Sequence, residues 1–443
     1  MKKKLPVVTV AERDEVSRLA DLPAEAVVAM ADVAEAVREG LMALSCTAGL
    51  LVIDQFLDAE LDAVVGPKGR HDPNRSAQRN GTTMGSVTLG GRRVQLRRPR
   101  AVRTDGSGEV RLDTWSAFAS TDLLSQLAVE RMLAGVATRR HALVGEPVGE
   151  ALETAGRATG RSSVSRRFKA ATEAKLAELL AKDLESLDVA VLMIDGIVFA
   201  GCCCVVALAI TADGTKVPVG LFDGDTENAT VVKDLLADLV GRGLRYEDGI
   251  LVVIDGAKAL AAGVRRVFGN RALVQRCTLH KRRNVADYLP DELALTMDRR
   301  IARAFNDVDP VRGLRVAQGL ARQLDNDHPS AAASLREGLE EMFTVRRLGV
   351  PDRLARSMSC TNSIESMISV VRGLTDRVKR WRDTKMVRRW VGAGMLEAER
   401  SFRRVKGCKD MPKLVDAVHA EVARRIAEEK GGVTPKEYDQ KVA

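Results

Sequence analysis

The sequence predicts an α/β protein with helical and small β modules ahead of its core, and three observations carry that prediction. From residue 187 onward, apolar β-prone runs alternate with helical stretches in the order β, β, β, α, β, α, β. Two of these runs end in an acid followed by glycine: Val189–Ile194 leads into Asp195-Gly196, and Ile250–Ile254 into Asp255-Gly256. A third acid, Glu365, lies in Thr361-Asn362-Ser363-Ile364-Glu365, where polar capping residues open a helical pattern. Two carboxylates at the carboxyl ends of buried strands, with a third on a later helix, would gather hard oxygen ligands for a divalent metal. Such a site suits phosphoryl transfer on a nucleic acid backbone.

Composition supports this class. The chain has 443 residues, 45% of them hydrophobic, which is enough for several domains with real cores. A net charge of +9, with 29% charged residues, favours a polyanionic partner. Aromatic residues make up only 3%, so base stacking on single strands is not the expected mode of recognition. The basic start Met1-Lys2-Lys3-Lys4 is followed by no apolar h-region, so no secretory signal is expected. No uninterrupted apolar stretch of membrane-spanning length is read, and the most apolar region, Val189–Ile210, is broken by Asp195, Gly196 and Gly201. Seven cysteines at irregular spacing fit a reducing cytoplasm better than a disulfide framework.

Taken in order, residues 1–65 form an N-terminal helical region, in which Leu41, Leu44, Leu50, Leu51, Ile53 and Leu57 recur at helix-like intervals. Residues 66–118 read as a small basic β element. Its turn signals are Arg79-Asn80-Gly81, Leu89-Gly90-Gly91 and Asp105-Gly106-Ser107-Gly108, bracketing short runs at Ser86–Leu89 and Arg93–Leu96. Residues 119–186 return to helix. Leu127–Val136 and Val148–Ala155 precede a glycine turn at Gly160, and a new helix then carries Ser165, Arg166 and Arg167 in its first turns. That order resembles a helix-turn-helix, and an ordinary helical bundle with a basic face reads equally well.

The first part of the core spans residues 187–286. Strand one ends at Asp195, strand two covers Cys202–Thr211 and strand three Lys216–Phe222. A helix runs from Asn228 to Val240, strand four is Ile250–Asp255, a short helix covers Lys258–Phe268 and strand five is Ala272–Gln275. Three antiparallel strands followed by alternating helices and strands is the order of a ribonuclease-H-like core. In that order strands one and four are neighbours, which would set Asp195 beside Asp255. Residues 287–352 read as an all-α insertion, with helix starts at Asp309-Pro310 and His328-Pro329. The second part of the core, with C-terminal helices, covers 353–429, and 430–443 is expected to be a disordered tail.

Either Asp-Gly alone would read as a strand-end turn. Both, on strands one and four of this order with Glu365 downstream, favour catalysis. Three convergent carboxylates repel one another unless cations neutralise them. Two Mg²⁺ ions about 3.5–4 Å apart, with Mn²⁺ able to substitute, would activate a water or a 3′-hydroxyl and stabilise the leaving oxygen. Cys277 and His280 could ligate zinc, but a closed site needs a second pair that is not visible, so packing and a hydrogen bond near the active site read better. Cys202-Cys203-Cys204 sits mid-strand and reads as core packing. The basic candidates for DNA phosphates are Arg92, Arg93, Arg97, Arg98 and Arg100 in the β element, Arg166 and Arg167 beside Ser165, then Arg276, Lys281, Arg282 and Arg283, and Arg372, Lys379 and Arg380. No phosphate-binding Gly-rich loop, dinucleotide fingerprint or serine elbow is present.

These segments resemble bacterial Mutator-type insertion-sequence transposases of the DDE class. The matching pieces are Arg79-Asn80-Gly81, Ile194-Asp195-Gly196, Asp223–Leu239 leading into Arg242-Gly243-Leu244, Val253-Ile254-Asp255-Gly256, Gln275-Arg276-Cys277 with His280 and Arg283-Asn284, and Thr361-Asn362-Ser363-Ile364-Glu365. The resemblance covers roughly residues 70 to 405 and implies a catalytic triad of Asp195, Asp255 and Glu365, with Cys277, His280 and Asn362 as motif residues near it. Where the family usually carries tryptophans, this chain has Val231-Val232 and Val274. The resemblance further implies binding of terminal inverted repeats, strand transfer through a 3′-hydroxyl, a short target duplication and a dimeric synaptic assembly. The reading is therefore a Mg²⁺-dependent DNA transposase of the cytoplasm, acting as a homodimer on double-stranded DNA without a membrane. Its alternatives are a catalytically silent DNA-binding protein, such as a domesticated repressor, and a ribonuclease-H-like nuclease without joining activity.

Overall fold

The computed structural model describes residues 40–70, 75–141, 144, 160–199, 201–224 and 229–430, which fall into two units, Met1–Ala171 and Thr172–Ala443. In the first unit, helix α1 (Leu41–Val65) lies against a hairpin of β1 (Ala77–Leu89) and β2 (Arg92–Arg103). Short helices α2 (Asp113–Ala119) and α3 (Asp122–Leu133) follow. Ile53 and Leu57 of α1 form a buried cluster with Val87 of β1 and Leu112. By length and composition α1 could cross a membrane. Here its apolar stripe Ile53, Leu57, Leu61 and Val65 is buried.

The hairpin turn falls where the sequence places it. Gly90 (φ 55°) and Gly91 (φ 71°) both take the left-handed conformation that a two-residue hairpin needs. The strands themselves correct the sequence reading, being 13 and 12 residues long rather than short runs. Arg79-Asn80-Gly81 is accordingly not a turn. It lies inside β1, where the pairing register shifts between Arg79 and Thr82. Of the expected helix-turn-helix, Leu127–Val136 falls largely in α3, while Val148–Ala155 lies outside the described residues. The expected helix before residue 40, Asn228 and the tail beyond residue 430 lie outside them as well. Helix α4 (Arg161–Leu180) leads into the second unit.

The second unit is built on a mixed five-stranded sheet. Its strands are β3 (Val189–Phe199), β4 (Cys202–Thr211), β5 (Lys216–Gly224), β6 (Ile250–Ile254) and β7 (Ala272–Arg276), in the spatial order β5-β4-β3-β6-β7. The first three pair antiparallel, and β6 and β7 add in parallel. Helix α5 (Ala229–Gly241) connects β5 to β6, and α6 (Lys258–Phe268) connects β6 to β7. Parallel strands require such crossovers, which cover the sheet.

Alternation along β3 shows why the strands are almost wholly apolar. Leu192 and Ile194 pack with Leu235, Leu236, Leu239, Val264 and Phe268 from α5 and α6. Val191, Met193 and Ile197 pack on the opposite face, against residues of the later helices. Burying the sheet on both sides explains Cys203 and Cys204, buried within β4 and joined in no disulfide, and it explains the length of β3. The strand does not end at Asp195. It continues to Phe199, because β4 pairs it through Cys202 and both Ile197 and Phe199 are buried.

Five helices intervene before the chain returns to the sheet. They are α7 (Thr278–Ala286), α8 (Asp291–Phe305), α9 (Pro310–Leu324), α10 (Pro329–Arg336) and the single turn α11 (Thr344–Arg347). Residues from Val285 to Phe343 share a core of their own. Asp309 caps α9 as its sequence suggests, accepting from Val311 N at 2.9 Å and Arg312 N at 3.2 Å, whereas His328 makes no side-chain cap on α10. Four helices complete the unit: α12 (Asp352–Met358), α13 (Asn362–Thr375), α14 (Thr384–Glu399) and α15 (Met411–Lys430).

Gln275 joins the helical segment to the sheet. It is fully buried, its Nε2 donates to Arg276 O (2.7 Å) and Met342 O (3.0 Å), and its Oε1 accepts from Val345 N (2.9 Å). Replacing it with Leu would leave those buried backbone groups unpaired, at about 1–3 kcal/mol each. Gln275→Leu is therefore expected to destabilise the protein by at least about 2 kcal/mol, read as a lower midpoint in urea unfolding.

Candidate active site

The site begins with a register. In the parallel pairing of β3 and β6, Ile194 lies opposite Ile254, so Asp195 and Asp255 each follow one member of a matched pair. On the other side, Ile254 pairs with Arg276 of β7, so Cys277 occupies the corresponding place on the third strand, its N–H donating to Ile254 O at 2.7 Å. Three adjacent strands thus present Asp195, Asp255 and Cys277 in one row. Asp255 Oδ1 accepts from Ala257 N at 2.8 Å, closing a tight turn in which Gly256 takes φ 109°.

Helices α7 and α13 bring the remaining groups. His280 lies in the first turn of α7, and Glu365 in the first turn of α13, where the helix dipole favours a carboxylate. His280 Nδ1 and Glu365 Oε1 are 3.8 Å apart. Cys277, His280 and Glu365 offer ligand atoms that lie within 4.8 Å of one another, and Asp195 and Asp255 stand outside that set of three. The buried Thr361 hydroxyl lies among them, 2.5 Å from Glu365 Oε1, 3.2 Å from Cys277 Sγ and 3.3 Å from His280 Nδ1. Asn362 is exposed at the first position of α13.

Electrostatics tie the acids together. Asp195 is only 7% exposed, and burial, reinforced by the negative charge of Asp255 and more weakly of Glu365, pushes its carboxyl up to about 7. His280 and the Gly196 N–H (2.9 Å) pull it down less strongly. The hydrogen bond with Cys277 raises His280 to about 9 against the opposing effect of burial, with Glu365 and Asp195 adding to the rise. Burial alone pushes the Cys277 thiol up, but hydrogen bonds from His280 and Thr361 outweigh it and the thiol titrates below its ordinary value. A carboxyl held up by burial and a like charge is one that a cation would ionise, and the oxygen donors of Asp195, Asp255 and Glu365 suit a hard divalent ion.

The basic candidates divide in two. Arg276 is not offered to solvent: its side chain is 9% exposed, Nε donates to Glu341 Oε2 at 2.5 Å, and Nη1 donates to the carbonyl of Gly256 at 3.2 Å. It therefore braces the turn after Asp255, which corrects its expected role as a phosphate contact. Lys281 is buried and donates to Ser334 O at 2.6 Å, and Arg282 forks onto Asp298 at 2.7 and 2.6 Å. Arg93 is taken up by Ser86 and by Ala119 O (2.7 Å), and Arg98 and Arg100 both reach Glu109. Arg92 and Arg167 are half-buried. Arg97, Ser165, Arg166, Arg283, Arg372, Lys379 and Arg380 are exposed.

The sequence shows Gln275 only as a motif member and Thr361 only as a capping residue, with no role at the site for either. A polar residue inside the apolar strand Ala272–Arg276 was a signal for the first, since a buried amide demands partners. The spacing of four residues between Thr361 and Glu365 was a weaker signal for the second.

With this geometry established, comparison places the chain among known sequences. The family described as Transposase, Mutator family, matches residues 25–405. The chain is 26% identical over 388 residues to the transposase for insertion sequence element ISRM5 of Rhizobium meliloti (strain 1021), an alignment covering 85% of this chain and 92% of that protein. It is 29% identical over 198 residues to the transposase for IS6120 of Mycolicibacterium smegmatis, covering 43% of this chain and 60% of that one. It is 27% identical over 177 residues to the transposase for IST2 of Acidithiobacillus ferrooxidans, covering 40% and 58%.

Glu341→Gln removes the nearer of two carboxylates facing a nearly buried guanidinium, the other being Glu337 at 3.9 Å, so the cost stays below the about 3–5 kcal/mol of a buried charge left wholly unpaired. The variant is expected to unfold at clearly lower urea, with the loss much reduced when Arg276→Met is added.

Proposed function

The chain belongs to the Mutator family of transposases, and from that premise we propose that it binds the terminal inverted repeats of an insertion element and cuts and joins DNA with a DDE site on a ribonuclease-H-like core. The observation that carries this reading is that Asp195 and Asp255 each follow one member of the Ile194–Ile254 pair on neighbouring strands, with the Asp195 carboxyl pushed up to about 7 by burial and by Asp255. A buried carboxylate beside another is costly unless a cation shares it. Asp195, Asp255 and Glu365 are the residues that would hold Mg²⁺, or Mn²⁺ in its place. What such ions supply when bound is activation of a water or 3′-hydroxyl and stabilisation of the leaving oxygen.

The chain's own residues do the rest. Asp195 and Asp255 fix the acidic row through the sheet, and Arg276 holds the turn that aims Asp255. His280, positively charged below about 9, offsets part of the negative charge around Asp195 and Glu365. Exposed Arg283, Arg372, Lys379 and Arg380 would hold the phosphates of the duplex entering this site. In the first unit, exposed Arg97 and Arg166 would bind phosphates of the element's ends. Strand transfer in a synaptic complex requires two ends to be held together, which a homodimer would provide.

Asp195→Asn is expected to abolish Mg²⁺-dependent cleavage of DNA fragments taken from the two ends of the element that carries this gene, while binding of those fragments persists. Cleavage by the variant at the wild-type rate would remove Asp195 from the mechanism. A strand-transfer assay with pre-cut 3′-hydroxyl ends separates joining from simple hydrolysis. Replacing Lys379 and Arg380 together by Gln is expected to lower the slope of log affinity against log salt by about 2, measured by fluorescence anisotropy on the same fragments.

A further inference from the structure

We propose that Thr361 is a positioning residue for Glu365: its hydroxyl touches Cys277, His280 and Glu365 together and fixes one oxygen of the Glu365 carboxylate for metal binding. The inference rests on the reading of Glu365 as a metal ligand. It starts from a cap that does not cap. Thr361 occupies the N-cap of α13, where a threonine normally accepts a hydrogen bond from a backbone N–H of the first turn. Here its backbone sits at φ −86° and ψ 11°, outside the extended region, and the side chain accepts no such bond. The hydroxyl points instead into the site, fully buried.

A hydroxyl has one proton and two lone pairs. Glu365 Oε1 at 2.5 Å and Cys277 Sγ at 3.2 Å compete for that proton. The carboxylate wins, because charge-assisted O–H···O⁻ bonds are short and strong whereas sulfur is a weak acceptor. Cys277 Sγ still receives the backbone N–H of Thr361 at 3.4 Å, so the same residue is tied to both the strand end and the helix acid. Glu365 is thereby held through Oε1, the oxygen that also faces His280 at 3.8 Å.

This geometry also argues against a metal bound by Cys277, His280 and Glu365 themselves. Zinc ligands lie about 2.0–2.3 Å from the ion. Thr361 Oγ1 already touches all three of these ligand atoms, at 2.5 to 3.3 Å from each. A metal held by all three would compete with that hydroxyl for the same lone pairs.

The test uses the full-length protein and DNA fragments from the element's two ends. Thr361→Val keeps the shape and removes the hydroxyl; Thr361→Ser keeps the hydroxyl. Thr361→Val is expected to cut about 10–100-fold more slowly and to bind Mn²⁺, read by electron paramagnetic resonance without DNA, correspondingly more weakly. Thr361→Ser is expected to recover both, which a purely packing role would not give. Wild-type cleavage and Mn²⁺ affinity in Thr361→Val would overturn the proposal. Independently of any variant, Co²⁺ added to the wild-type protein is expected to produce no thiolate-to-cobalt absorption band, and such a band would also overturn it. Glu365→Gln separates the two levels. If that variant cuts normally, the reading of Glu365 fails; if it is inactive while Thr361→Val is normal in both assays, only the present inference fails.

Discussion

Everything in the second unit depends on one parallel pairing, that of Ile194 with Ile254. Shifting a strand by one residue would turn its side chains to the opposite face. The acids would then point to different sides of the sheet. What prevents the slip is burial on both faces: Leu192 and Ile194 are committed to one helical layer, Val191 and Met193 to the other. A sheet exposed on one side would specify its register by one set of contacts. This one does so by two, and the polar row at its end inherits that precision.

The helices between β7 and α13 extend the same constraint rather than interrupt it. Arg276 reaches from the last strand to Glu341 on one side and to the carbonyl after Asp255 on the other. Gln275 bonds to Met342 and Val345. Two consecutive residues therefore bind the helical segment to the strand beside the acids, and that segment delivers the chain to Thr361 and Glu365. The insertion acts as a spacer with defined ends, not as a loop carrying the third acid on a flexible tether.

Much of this was legible in the sequence where short-range patterns decide it. The strand order, the bounds of α6 and the proline-led starts of α9 and α10 follow from local periodicity and capping chemistry. Asp195 misled as a strand terminator because an acid followed by glycine reads as a turn, while its actual environment is set by pairing with Val206 across β4. Arg79-Asn80-Gly81 misled in the same way, as a bulge within a long strand. The basic residues were illegible for a different reason. Arginine type does not distinguish Arg276, buried against Glu341, from Arg380, exposed at the surface, since only the fold supplies the partner. Thr361 was legible as a motif member, but its role depends on Cys277, 84 residues away.

The order of the acids along the polypeptide has a consequence for synthesis. Asp195 and Asp255 emerge from the ribosome with the sheet, but Glu365 follows only after all the helices from α7 to α12. One face of the sheet waits with it, because the partners of Val191, Met193 and Ile197 include residues of α13, α14 and α15. A chain stopped upstream of Glu365 would keep all five strands in its sequence and yet leave Val191, Met193 and Ile197 without the helical residues that bury them.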